Sequence, residues 1–347
     1  MLEELITYGG DPRIIATRAE IERVQSGLAA AGNLLGNEVE VTDFLLLPLK
    51  RIGLAMELPL MQERIRHLLS ALQASANEYF DGEALVAKEL SDLGLFSAPA
   101  IAAGFLGLTG QSGRGASVEA RQIDAFMRAS PKTLADLAKR TSGNGQFGQV
   151  TIERYGQTYV AYIPGTQNWS PIASQNPLDF TSNLQAMSAP GLAASEIAVQ
   201  QALAKSGAGK SSRFVLIGHS QGGLIAANIA VQDKRVAALV TFGAPIGQVA
   251  SQLKVPVVAI EHSNDIVPKL GLKANPLAEN MVTVVREMPI EHEPKTIVEA
   301  HDISNYTKTA EIADKSQEFG LKRVRDQVLE LFGQHPAEVS VYKINRN

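Results

Sequence analysis

The sequence predicts an α/β protein: a mostly parallel sheet flanked by helices, preceded by an N-terminal α-helical region. Three observations carry that expectation. From Val150 onward, short apolar runs alternate with stretches of helical periodicity, the spacing of strands joined by crossover helices. Runs such as Phe214–Gly218 and Val236–Phe242 are almost wholly apolar, as in strands covered on both faces. Residues 1–90 instead repeat apolar side chains at helical spacing.

In chain order, Asp11-Pro12 offers a helix cap followed by proline at the first helical position. Ile14, Ile21, Leu28 and Leu35 then recur in heptads, with Val24 and Ala31 between them. A second run, Met61, Ile65, Leu68, Leu72, Ala76 and Tyr79, steps by threes and fours, and "GNEVEVTDFLLLPLKRIG" breaks the pattern between the two. Two such helices would pack as an antiparallel hairpin. No Glu-x-x-His occurs inside it, so a packing role is expected rather than a cofactor-holding bundle. Leu93–Gly110 is uncharged and just long enough to consider a membrane span. Its glycines and proline favour a buried or surface-docked segment.

Thr109–Gly115 ("TGQSGRG") reads as a linker, which divides the chain into a helical region, 1–110, and an α/β domain, 111–347. In the second part Val118–Met127 and Pro131–Arg140 carry a helical pattern, and Val150–Arg154 with Thr158–Ile163 form a hairpin around "YGQ". A helix over Leu192–Lys205 precedes the strand ending at Gly218, and another helix follows it. Strands at Val236–Phe242, Val255–Ile260 and Met281–Arg286 come next, then a last amphipathic helix carrying Leu321, Val324, Val328 and Leu331.

A formal net charge of -4 over 347 residues leaves no electrostatic footprint for nucleic acid. There are no cysteines, and the six histidines lack the paired spacing of a zinc site, so no metal is expected. The start, "MLEELITYGGDPR", has no basic region followed by an apolar run, so no secretory signal peptide is read. A cytoplasmic location is the default expectation, with export by a signal-peptide-independent route as the alternative.

The stretch "FVLIGHSQGGLIAANIA" (Phe214–Ala230) places Ser220 between a strand pattern and a helix pattern. Gly218-x-Ser220-x-Gly222 in that setting is a nucleophile elbow, a turn that lifts a serine hydroxyl above the sheet and aims helix amides at one point. The serine needs a base, and the base an orienting acid, following it in the order Ser, Asp/Glu, His. Asp265 lies in a polar loop just past a strand's carboxyl end, where an open α/β sheet puts its site. Glu261 is the fallback, ahead of Asp233 and Asp302. His301 is preferred as base, with His292 its competitor; His262 breaks the order and reads as a solvated loop histidine, and His219 as a local packing residue. Gln221 follows the nucleophile and offers one oxyanion amide. Thr166, in Pro164-Gly165-Thr166-Gln167 after the strand Thr158–Ile163, offers a second.

Gly165-Thr166, the GHSQGG elbow at Gly218–Gly223, "TFGAP" at Thr241–Pro245, "NDIVP" at Asn264–Pro268 and His301 followed by Asn305-Tyr306 together resemble the α/β-hydrolase family. They are most similar to its class 3 lipase branch. The resemblance covers Gln149–Tyr306 and implies Ser220, Asp265 and His301 as a catalytic triad, with Thr166 and Gln221 as oxyanion donors and no cofactor. Gln167 departs from that branch, which often has an acidic residue there. The helical first third has no counterpart in it and weakly resembles WXG-type secreted hairpins, through Tyr79-x-x-x-Glu83 but without the Trp-x-Gly turn.

The expected function is carboxylic ester hydrolysis through an acyl-enzyme. The apolar insertion Trp169–Leu192 would serve as a lid or acyl-chain wall for a lipid-like or medium-chain ester. Two alternatives predict different behaviour: an exported phospholipase-type effector, and a non-catalytic protein using its hairpin for a helical partner or self-association. Peripheral membrane contact is a further expectation for Leu93–Gly110.

Overall fold

The computed structural model describes residues 5–10, 117–142, 147–168, 173–188, 193–265, 267–271, 273–287 and 301–347. The expected helical hairpin, Leu93–Gly110, the linker, parts of the insertion Trp169–Leu192 and His292 lie outside them. The chain divides into two compact units, residues 1–15 with 86–347 and residues 16–85, and every described residue belongs to the first.

That unit is built on one sheet of nine strands: β1 (Leu5–Gly9), β2 (Val118–Arg128), β3 (Gln149–Tyr155), β4 (Thr158–Ile163), β5 (Arg213–His219), β6 (Val236–Phe242), β7 (Val257–His262), β8 (Met281–Arg286) and β9 (Ala337–Arg346). Their order across the sheet is β1-β8-β7-β6-β5-β4-β3-β9-β2. From β4 to β8 the neighbours are parallel, while β1, β3, β9 and β2 add antiparallel pairs on the two sides.

The parallel strands follow one another in sequence order, so right-handed crossovers all fall on one face. The helices obey this rule. The helices α3 (Ala194–Lys205) and α4 (Gln221–Gln232) bury Ala198, Ala202, Ile225 and Ile229 in one core with Leu216 and Leu239. On the opposite face α1 (Leu134–Thr141), α5 (Ile303–Lys315) and α6 (Phe319–Leu329) bury Leu137, Tyr306 and Val324 with Val215 and Val240. A further helix, α2 (Phe180–Ser188), falls within the insertion that follows β4. Among the described residues no helix is long and apolar enough to cross a membrane.

The structure corrects the sequence reading at the sheet's margins. Leu5–Gly9, assigned to a helical region, pairs with β8 from Leu5–Arg286 to Gly9–Val282. Val118–Met127, read as helical, is the edge strand β2, paired along its length with β9. Its glutamate, alanine, arginine and methionine favour a helix locally, but tertiary pairing overrides that preference. Only its first residues, Val118 and Ala120, show the alternation of a half-buried strand. Strand β7 runs two residues later than Val255–Ile260, because Pro256 has no N–H to give to a ladder.

Candidate active site

Strand β5 ends at His219 and α4 begins at Gln221, so Ser220 alone makes the turn. Its backbone sits at φ 55° and ψ −127°, the one non-glycine positive φ among the described residues. Such a conformation costs on the order of 1–3 kcal/mol and survives only where the surroundings enforce it. Here they do. A Cβ on Gly218 would lie 2.2 Å from the Gly222 backbone, and one on Gly222 would lie 2.1 Å from the Ile163 carbonyl oxygen. Both positions accept glycine alone, which packs strand against helix closely enough to force the turn. The Ser220 amide donates to the Phe242 carbonyl at 2.9 Å, tying the elbow to β6.

Asp265 follows β7 by three residues and is fully buried. Its Oδ1 accepts the Val267 amide at 2.9 Å. Its Oδ2 accepts both His301 Nδ1–H at 2.6 Å and the Tyr306 hydroxyl at 2.5 Å. Burial pushes the carboxyl upward, but the bonds from His301, Tyr306 and Val267 outweigh it and hold Asp265 below the usual carboxylate range. With the proton on Nδ1, His301 keeps a lone pair on Nε2. That atom is buried and has no hydrogen-bond partner, so the Ser220 hydroxyl does not bond it in this arrangement. Hydrogen bonds of this kind often tighten only once a substrate is bound.

His219 brings His301 to the elbow. The two rings stack with centroids 4.6 Å apart, and His219 Nε2–H donates to the His301 carbonyl at 2.9 Å. Burial, aided by the neighbouring His301, lowers the His219 pKa to about 3, so His219 stays neutral and keeps that donor.

Sequence reasoning gave Tyr306 no role of its own. It is fully buried in the first turn of α5, stacked on His262 at 3.9 Å and filling the space a side chain on Gly243 would need. The signal that could have found it is chemical: a buried tyrosine hydroxyl requires a partner. His262, expected as a solvated loop residue, is buried at the end of β7 and bonds Thr309 Oγ1 at 2.7 Å.

The loop after β4 runs against the serine. A Cβ on Gly165 would lie 2.9 Å from Ser220 Cβ, so glycine is needed for the approach. Thr166 Oγ1 and Gln221 Oε1 are both buried without a hydrogen-bond partner. Together with His301 Nε2 they are three unpaired polar atoms on the residues around Ser220, groups whose partner a water or a ligand can supply. Gln167 accepts the Gly148 amide at 2.6 Å and the Asn176 side-chain amide at 2.9 Å through Oε1, so its side chain anchors the loop.

No family model matches the chain, and no curated protein matches it.

The competing acids have other occupations. Asp233 ends α4 and pairs with Arg235 at 2.7 Å, and Asp302 caps α5 through the Ser304 amide. Glu261 projects from the opposite face of β7 to His262 and bonds Asn275 at 2.7 Å. Burial, reinforced by Asp265 and opposed by Asn275, pushes its pKa up to about 7 from an ordinary 4.5. A raised folded-state pKa gives stability that is full below the unfolded value and is lost as pH rises through the folded one. Glu261→Gln is therefore expected to match wild type in urea unfolding at pH 4.5. At pH 8 it should be the more stable, by on the order of a few kcal/mol, since each tenfold change in proton affinity is worth about 1.4 kcal/mol. Equal midpoint differences at the two pH values would rule out a raised Glu261. Among the described residues no group of His, Cys, Asp or Glu is placed to hold a metal ion.

Proposed function

We propose that the protein is a serine hydrolase of carboxylic esters with an α/β-hydrolase fold, nearest in its motifs to the class 3 lipase branch. The observation that carries this reading is the forced positive φ of Ser220 at a strand–helix turn, beside a His301–Asp265 pair whose outer nitrogen has no partner.

In this mechanism His301 Nε2 takes the Ser220 proton as Oγ adds to the ester carbonyl carbon. The carbonyl electron pair moves onto oxygen, where the amides of Thr166 and Gln221 stabilise it. Each such donor contributes about 3 kcal/mol to lowering the barrier. Collapse expels the alcohol, which leaves with the proton held by His301, and water then releases the acid by the same steps in reverse. Asp265 stays ionised throughout, orienting His301 and stabilising its cationic form.

A cavity of about 190 Å³ lies one turn along α4 from the serine, lined by Met187, Leu224, Pro245, Val249 and Leu270, with the side-chain amides of Asn228, Gln248 and Gln252 also in its wall. Its mostly apolar wall supports an acyl chain as the group held there. The test is labelling of the full chain by a fluorophosphonate together with turnover of p-nitrophenyl esters of increasing chain length. Labelling and a chain-length optimum support the proposal. Absence of both sinks it and gives the lead to the partner-binding reading.

A further inference from the structure

Arg346, on β9, and Asp179, just before α2, form a buried ion pair that no chemical step above uses. Arg346 Nη1 lies 2.5 Å from Asp179 Oδ2 and Nη2 lies 3.1 Å from Oδ1, a bidentate fork. The same guanidinium donates to the Ser174 carbonyl and the Ser182 hydroxyl, each at 2.6 Å. Asp179 also accepts the amides of Ser174 at 2.8 Å and Ser182 at 2.9 Å, so its carboxylate is held from several directions. A pair this buried loses hydration on both sides, and removing one partner leaves the other an uncompensated buried charge.

The backbone of this segment is what reaches the site. The Asp179 carbonyl accepts Gln221 Nε2–H at 3.1 Å, and the Leu178 carbonyl accepts the Gln167 amide at 2.8 Å. Asn168 makes a further bridge to Asp179. Residues 178–179 therefore hold both residues that carry the candidate oxyanion amides, Gln221 by its side chain and Thr166 through Gln167 and Asn168.

We infer that Arg346 is a positioning residue for the oxyanion hole: by locking Asp179 it sets the placement of the Thr166 and Gln221 amides around Ser220. The inference rests on the serine hydrolase reading. It also gives β9, two strands away from β4, a part in the chemistry.

The test uses the full chain and compares wild type with Arg346→Ala and Arg346→Lys on one soluble p-nitrophenyl ester, alongside fluorophosphonate labelling and thermal melting. Misplacing catalytic groups by about 1 Å can cost about 100-fold in rate. Arg346→Ala is expected to lose about 100-fold in kcat with KM changed less than about threefold. Millimolar ethylguanidinium, which refills the vacated site, should restore part of that loss. Arg346→Lys keeps the charge but not the fork, and is expected to lose about tenfold while remaining folded. It carries the test if the alanine variant does not fold. Wild-type kcat in Arg346→Lys, or an Arg346→Ala loss that ethylguanidinium leaves untouched, overturns the inference while the hydrolase reading stands. Wild type that neither labels nor turns over any ester sinks the hydrolase reading, and this inference falls with it.

Discussion

Ser220→Ala is expected to lower kcat for any ester that the wild type hydrolyses by about 10⁴- to 10⁶-fold and to abolish fluorophosphonate labelling. The substitution removes one oxygen. It leaves the Gly218 and Gly222 contacts that force the turn, so the backbone stays at positive φ and the melting temperature should move little. Any residual rate belongs to water activated in the same pocket, where the Thr166 and Gln221 amides and the His301 base remain. The measurement is single-turnover and steady-state kinetics on both proteins, with circular dichroism to show that the variant is folded. A variant retaining more than about one hundredth of the wild-type rate would place the nucleophile elsewhere and remove the reason for the strained turn.

Asp265→Asn is the second large effect, expected at about 10⁴-fold in kcat. The carboxylate receives three donors: the His301 Nδ1–H and Tyr306 hydroxyl on one oxygen, and the Val267 amide on the other. An asparagine offers one oxygen and one N–H₂, so it cannot accept all three. With its N–H₂ toward His301 it needs a lone pair on Nδ1, which moves the ring proton to Nε2 and leaves no base for the serine. With its oxygen toward His301 the tautomer survives, but the N–H₂ then meets the Val267 amide and the cationic form of His301 loses its counter-charge. Either way the loss should appear in kcat with KM nearly unchanged. A loss of tenfold or less would mean that Asp265 holds structure rather than charge, and Glu261 or an acid outside the described residues would take its place.

Much of the site was legible because its requirements are local. Glycines at 218 and 222 mark a place where a side chain would collide with backbone, and that steric demand acts within a few residues. The order of serine, acid and histidine pointed to Asp265 and His301, which the fold holds 2.6 Å apart. Tyr306, His219 and Arg346 were not legible as partners of that site. Nothing near Tyr306 in the chain says that its hydroxyl meets a carboxylate 41 positions away, and Arg346 meets Asp179 across 167 positions. His219 was read as a local packing residue, and its bond to the His301 carbonyl spans 82 positions.

The same division runs through the fold. Periodicity and apolar runs determined the parallel strands β4 to β8 and the helices α1, α3, α4 and α6, since burial on both faces leaves its mark on every residue of a strand. Only the tertiary structure decided the margins. Leu5–Gly9 is a strand because β8 offers an open edge, and Val118–Arg128 is a strand because β9 lies beside it, against the helical preference of its own residues. Burial pattern and glycine sterics are set residue by residue, whereas strand pairing and buried polar contacts are settled only when distant segments meet.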